Sequence, residues 1–165
     1  MELSLFREHF ARIPRHVAVL GLYAGNQAHG VTISSLQSVS VNEHRQVLAF
    51  VLKKNSTFSQ ILIEEKKFTI NLLADNQENI SKVYSGQDRN SSIVSHEEIW
   101  SRLDNDFIFI NGANFSFSAT FVNSVELEES NVYFVIAEEI IDSNDREVLL
   151  YGKRSYGVFQ EWKNL

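Results

Sequence analysis

A mainly β chain, closed into an antiparallel barrel with a few flanking helices, is predicted by two features. Short apolar strands recur between turn residues, and helical stretches are few. A run of small hydroxyls between Gly30 and Ser40 adds a polar strand to this pattern. The chain has 165 residues and 44% hydrophobic content, enough for one domain over residues 1–165 and too little for two.

Taken in order, Leu3, Phe6, Phe10 and Ile13 fall at helical spacing, so an amphipathic helix over residues 2–13 is predicted to touch the core and stop before Pro14. His16 to Tyr23 reads as a buried strand and Gly25 to Gly30 as the turn that follows. The next run, Gly30 to Ser40, reads as one hydroxyl-rich strand, on which Thr32, Ser34, Ser38 and Ser40 share a face with Leu36 between them. Such a row is either a solvated face or a cradle for a phosphate or a polar ring edge, because each hydroxyl both donates and accepts.

Val47 to Leu52 forms a third strand, followed by Lys53, Lys54 and Asn55. Residues 56–65 read as a helix capped by Asn55 or Ser56. Its first amides carry partial positive charge and suit a phosphate, unless Ser56 only caps its own helix. Phe68 to Leu73 is a fourth strand, and Asp75 to Glu78 has capping-box spacing for a helix reaching about Tyr84. Residues 85–105 form a polar loop with one apolar spot at Ile99 and Trp100. Strands over Phe107–Ile110, Asn114–Glu126, Val132–Ile141 and Glu147–Tyr151 complete the pattern.

Several chemistries are weakened by what the chain contains. A net charge of −6, from 21 acids against 15 bases, argues against nucleic acid as a partner. An anionic ligand therefore needs a local basic site, for which Lys53-Lys54 and Lys153-Arg154 are the candidate pairs. Without cysteine there is no disulfide, thiolate metal site or cysteine nucleophile, a composition that fits a reducing cytoplasm. His9, His16, His29, His44 and His96 are scattered without metal-binding spacing, and read as surface or capping residues. No GxSxG, P-loop or GxGxxG is present, no signal peptide is read at the N-terminus, and no stretch has the length to cross a membrane. The expectation is a cytoplasmic protein without membrane contact or metal.

A set of landmarks carries a family resemblance. Phe10 to Val19 leads through Pro14 into a strand; Gly30-Val31-Thr32-Ile33-Ser34-Ser35 is followed by Ser38-Val39-Ser40; Lys54-Asn55-Ser56-Thr57 precedes Phe68-Thr69-Ile70-Asn71-Leu72-Leu73. Gly112-Ala113 and Leu149 to Tyr156 close the set. In this order and spacing the chain resembles the flavin reductase-like family, the FMN-binding split barrels that include reductase components of two-component monooxygenases.

The resemblance implies a six-stranded antiparallel split β-barrel of Greek-key type that binds FMN, with FAD as the alternative, and uses NAD(P)H as cosubstrate. It implies that Thr32, Ile33, Ser34, Ser35, Ser38, Val39 and Ser40 line the flavin. Lys54, Ser56 and Thr57 would meet its phosphate, with Asn71 a further cofactor-side residue. Asn131 and Tyr156 fall on the substrate side, and no catalytic side chain is implied. A homodimer is implied too, together with a monooxygenase or other electron acceptor.

This chain departs from the family pattern in three places. Glu129-Ser130-Asn131 stands where the family often has Gly-Asp-His, and asparagine donates a hydrogen bond but does not titrate near neutrality. Val41 to Gln46 replaces an Asp-Pro-Pro turn, and Asp88-Arg89 is followed by Asn90 rather than an aromatic residue. The leading function is hydride transfer from NAD(P)H to flavin. The alternatives are an FMN-binding electron-transfer module with little NAD(P)H activity of its own, favoured by Asn131, and a small barrel for another apolar ligand with a solvated serine face.

Overall fold

A seven-stranded antiparallel sheet curls into the centre of the computed structural model, which describes residues 2–86, 96–103 and 107–161. Its strands are β2 (Ala18–Ala24), β3 (Gln27–Ile33), β4 (Gln37–Val41), β5 (Gln46–Lys53), β6 (Lys67–Leu72), β9 (Phe115–Glu126) and β10 (Ser130–Ser143). Two short strands precede β9, namely β7 (Trp100–Arg102) and β8 (Ile108–Ile110), and pair with each other. A three-stranded sheet joins β1 (Arg15–His16), β11 (Leu150–Gly152) and β12 (Ser155–Gly157). Among the described residues four helices flank these sheets: α1 (Leu3–Phe10), α2 (Thr57–Glu65), α3 (Glu78–Ser85) and the one-turn α4 (His96–Ile99).

Strand order in the main sheet is β3-β2-β6-β9-β10-β5-β4. Its two edges, β3 and β4, are consecutive in the chain and separated only by Ser34, Ser35 and Leu36. So short a link forces the sheet to curl until its edges meet. The mainly β antiparallel barrel expected from the sequence is the architecture found, with seven strands in the main sheet rather than six.

The hydroxyl run is not one strand. It breaks at Ser34–Leu36, where the chain crosses from one edge to the other and Leu36 is buried as the anchor of the corner. Period-2 reasoning therefore does not carry across it. The preceding turn is shorter than expected: only Gly25 and Asn26 form it, at φ +57° and +64°. This Gly-Asn pair satisfies a type I′ turn alone, so β3 already pairs at Gln27.

Alternation explains β2, which is covered on both faces and so reads as a continuous apolar run. Ala18, Leu20 and Leu22 point into the barrel with Phe50, Phe68, Ile70 and Tyr133. Val17 and Val19 face a second cluster with Leu73, Trp100, Ile110 and Leu149. Inside the barrel, Phe50 stacks on Tyr133 at 5.5 Å and meets Phe68 edge-on at 5.9 Å.

Three further expectations are corrected. The apolar stripe of α1 does not enter the core: Leu3 is 60% exposed, and Phe6, Phe10 and Ile13 are exposed as well. Helical spacing gave the helix but could not say which surface its stripe meets. The second correction concerns α3, which starts at Glu78 without the Asp75 capping box. Gln77 takes over the junction, accepting from the Ala74 N–H at 3.0 Å and donating to the Asn111 carbonyl at 2.8 Å. The third is the region 85–105, part of which is ordered as α4 and β7; residues 87–95 and 104–106, including Asp88, Arg89 and Asn90, lie outside the described residues.

Candidate functional site

The corner between β3 and β4 is built by hydrogen bonds that sequence order brings together. Ser35 Oγ accepts from the Val51 N–H at 3.0 Å, joining the corner to β5. Thr32 Oγ1 donates to the Ser81 carbonyl at 2.8 Å and so fastens β3 to α3. Between them Ser34 and Thr32 share a cleft of about 160 Å³ with Ser81, Ser85, Tyr151 and Tyr156. The Tyr156 hydroxyl lies 3.0 Å from Ser81 Oγ, and its ring is tilted against Tyr151 at 4.9 Å.

Ser38, Val39 and Ser40 lie on the exposed edge strand β4, where a bulge falls between Ser38 and Ser40 opposite Leu48 and Val47. The Ser38 and Ser40 hydroxyls and the unpaired side of the strand are open. Ile33 belongs to the barrel core with its side chain, leaving only its main chain on the cleft side.

A basic rim lies at the same end of β5 as the corner. Beyond Lys53, Asn55 adopts φ +58° and Ser56 caps α2, its hydroxyl accepting from the Ser59 N–H at 3.2 Å. Ser56 thus does for its own helix what the plainer sequence reading assigned to it. Thr57 opens the helix, so its amide belongs to the partly positive first turn. Lys54 Nζ sits 2.5 Å from Glu126 Oε1. The hydrogen bond and charge of Lys54 hold the Glu126 carboxyl below the usual carboxylate range.

Asn71 is not at the cleft. It is fully buried, its Nδ2 donating to the Val19 carbonyl at 3.0 Å and to Thr69 Oγ1 at 3.1 Å. Its Oδ1 accepts from the Ile110 N–H at 3.0 Å and from Ser116 Oγ at 2.8 Å. Three of the four hydrogen bonds of the amide tie β6 to β2, β8 and β9 and the fourth goes to Thr69 on the same strand, which explains an asparagine in the buried part of β6.

Asn131 stands opposite Leu52 and Glu126 in the sheet register. Its Nδ2 is 3.4 Å from the Tyr133 hydroxyl, and its Oδ1 is buried with no hydrogen-bond partner among the described residues. The structure therefore brings together Thr32, Ser34 and Tyr156 in one cleft, Ser35 at the seam, and Lys54, Ser56 and Thr57 at the neighbouring rim. It places Asn131 on the β10 side of that rim.

Sequence reasoning missed Ser81 and Tyr151, which line the cleft, and the burial of His16 close by on β1. His16 is half-buried, its Nε2 unpartnered among the described residues. Burial pushes its pKa below the ordinary histidine value, against the opposing effect of a backbone hydrogen bond at Leu36. Tyr151 meets Tyr156 because β11 and β12 pair across a two-residue turn. That turn is Lys-Arg rather than the Gly or Asn that marks a hairpin, so the sequence hid it.

A curled antiparallel barrel with a hydroxyl-lined cleft at its seam and a helix start preceded by Lys54 beside it defines a split barrel. The flavin reductase like domain matches residues 10–160, and the chain belongs to that family.

Solved structures of flavin reductases share the fold. The flavin reductase PheA2 in its native state is 20% identical, with a TM-score of 0.84 over 98% of this chain and 100% of that one. The NADH:FAD oxidoreductase SgcE6 of Streptomyces globisporus, solved with NAD and FAD fragments, is 17% identical over 98% and 94% of the two chains, with a TM-score of 0.81. The styrene monooxygenase flavin reductase of Pseudomonas putida is 18% identical over 94% and 97%, with a TM-score of 0.80. No protein of curated function matches the chain in sequence.

Proposed function

We propose that this chain binds FMN at the β3–β4 corner and works as an NAD(P)H-dependent flavin reductase, with FAD as the larger alternative ligand. The observation that carries the reading is the placement of the hydroxyl corner beside Lys54 and the start of α2. The donor set fits the ligand: hydroxyls and main-chain groups of Thr32, Ile33, Ser34, Ser35, Ser38, Val39 and Ser40 suit a polar ring edge and ribityl chain. Lys54, Ser56 and Thr57 offer a charge-assisted site for the phosphate.

Bound flavin supplies the hydride acceptance and the onward electron transfer. The protein's part is to orient and to exclude water. Thr32 is held to α3 and Ser35 to β5, so the corner is rigid before any ligand arrives. Tyr156 borders the cleft on the side from which the nicotinamide approaches, Asn131 lies deeper, its amide against the Tyr133 hydroxyl, and no side chain has to give or take a proton.

A homodimer belongs to the same reading. Val51, Val132 and Val125 stand directly across from one another on the outer face, with Val51 38% and Val125 47% exposed. An exposed apolar row of this kind on the outer face of the sheet is what a second copy covers. The electron acceptor in this reading is a partner monooxygenase or oxygen, in the cytoplasm.

Titrating FMN against the wild-type chain and a Ser38→Ala/Lys54→Ala variant, read by flavin fluorescence, tests the site. Affinity is expected to fall by roughly 10-fold or more, as loss of a charge-assisted contact predicts. Equal affinity in the two proteins overturns the assignment.

Asn131 favours a second reading, an FMN-binding electron-transfer module that takes electrons from another protein. Its amide offers hydrogen bonds but no titrating group beside the substrate. Steady-state NADH and NADPH consumption with FMN separates the two readings.

A further inference from the structure

Three hollows beside the β11–β12 hairpin share walls. The cleft at Ser34 is bordered by Tyr151 and Tyr156. A second hollow of about 410 Å³ keeps those two tyrosines and adds Lys82 and Arg154. A third, of about 440 Å³, keeps Arg154 and adds Lys153 and Arg12. A groove thus runs from the hydroxyl corner past two aromatic rings to four cations, on a chain whose net charge is −6.

The acids along this groove are already engaged: Glu8 bonds Arg12 at 2.7 Å and Glu78 bonds Lys82 at 2.5 Å. Lys153 and Arg154 form no ion pair among the described residues. They occupy the hairpin turn, where both adopt left-handed φ, +51° and +61°. Elsewhere the same chain builds a turn of this kind from Gly25 and Asn26, residues for which that conformation is easy. Two long cationic side chains are therefore kept at positions the backbone disfavours.

The turn is also fixed in place. The Lys153 N–H donates to the Ala11 carbonyl at 2.6 Å. A Cβ on Gly152 would lie 2.9 Å from Pro14 Cα, so the hairpin is pressed against the segment leading from α1.

We propose that the Lys153–Arg154 turn binds the phosphates of the pyridine dinucleotide hydride donor, whose rings lie along Tyr156 toward the cleft at Ser34. The inference rests on the flavin reductase reading and names the part of the chain that recognises the donor. An ammonium and a guanidinium side by side suit a pyrophosphate or a ribose phosphate, since the guanidinium fork engages two phosphate oxygens at once. The flavin phosphate has its own site at Lys54 and α2.

The test is equilibrium titration of the full chain with NAD+ and NADP+, by calorimetry at low and high salt, with FMN and FAD titrated in parallel. Wild type is compared with Lys153→Asn/Arg154→Gly, which relaxes the turn, and with Lys153→Gln/Arg154→Gln, which keeps its length. Dinucleotide affinity is expected to fall by roughly 10-fold in both variants and to lose most of its salt dependence, while FMN affinity holds. Equal dinucleotide affinity in wild type and variants overturns the proposal, as does absence of dinucleotide binding by wild type. Loss of FAD affinity alone also overturns it, because the turn then serves the flavin's adenosine. Failure of wild type to bind FMN or FAD would overturn the flavin reading instead, and the dinucleotide titration reads independently of it.

Discussion

Ser35 Oγ accepts a hydrogen bond from the Val51 main-chain N–H at 3.0 Å, and this contact holds the corner between the two sheet edges against β5. The same hydroxyl lies 3.4 Å from the Val51 carbonyl, so one side chain serves a donor and an acceptor of the neighbouring strand. The seam that closes the barrel and the cleft proposed for flavin are thus one piece of structure.

Ser35→Ala removes that partner at a partly exposed seam and is expected to cost about 1 kcal/mol of stability. Thermal unfolding would show this as a Tm lowered by about 3 °C for a chain of this size. The substitution should also loosen flavin binding by more than its stability cost alone explains, checked by FMN titration well below the Tm.

Lys54 is held by Glu126 in the free chain, so a phosphate has to displace a carboxylate. Glu126→Gln is expected to tighten FMN binding a few-fold, about what an exposed ion pair is worth. Lys54→Ala should weaken it, and the two effects should not add in the double variant, because the same ammonium is at stake.

Asn71→Ala leaves the Ile110 N–H and Ser116 hydroxyl without their partner inside the core. A loss of about 3 kcal/mol is expected by chemical denaturation. FMN affinity of the folded fraction should be nearly unchanged, which separates a strand-holding residue from a ligand contact.

His16 sets a pH dependence of stability. Its folded pKa is lowered from 6.5 by burial, so the unfolded chain takes up the proton first. The contribution of neutral His16 is fully present above pH 6.5 and is lost as pH falls from there through the folded pKa. His16→Gln should flatten that part of the Tm profile between about pH 7 and 5, with the carboxylate contributions left as the common background.

Much of this was legible in the sequence because it rests on local pattern. The apolar runs at His16–Tyr23, Val47–Leu52 and Phe68–Leu73 fall within or close to β2, β5 and β6, and Ser56 caps α2 as its position suggests. What escaped depends on the closed topology. The break at Ser34–Leu36 follows from joining two sheet edges, which no periodicity encodes. Asn71 reads as a site residue by position in a motif, yet three of its four hydrogen bonds are taken by β2, β8 and β9 partners that are distant in sequence. The α1 stripe has helical spacing but stays exposed, outside the core, and the β11–β12 hairpin is masked by Lys153 and Arg154 in its turn.

The most direct measurement is to mix the purified chain anaerobically with FMN, then NADH or NADPH, and follow the flavin's visible absorbance. The account predicts a perturbed flavin spectrum on mixing, then bleaching on addition of the nicotinamide that requires the protein. A spectrum identical to free FMN, with no protein-dependent bleaching by either nicotinamide, would contradict it.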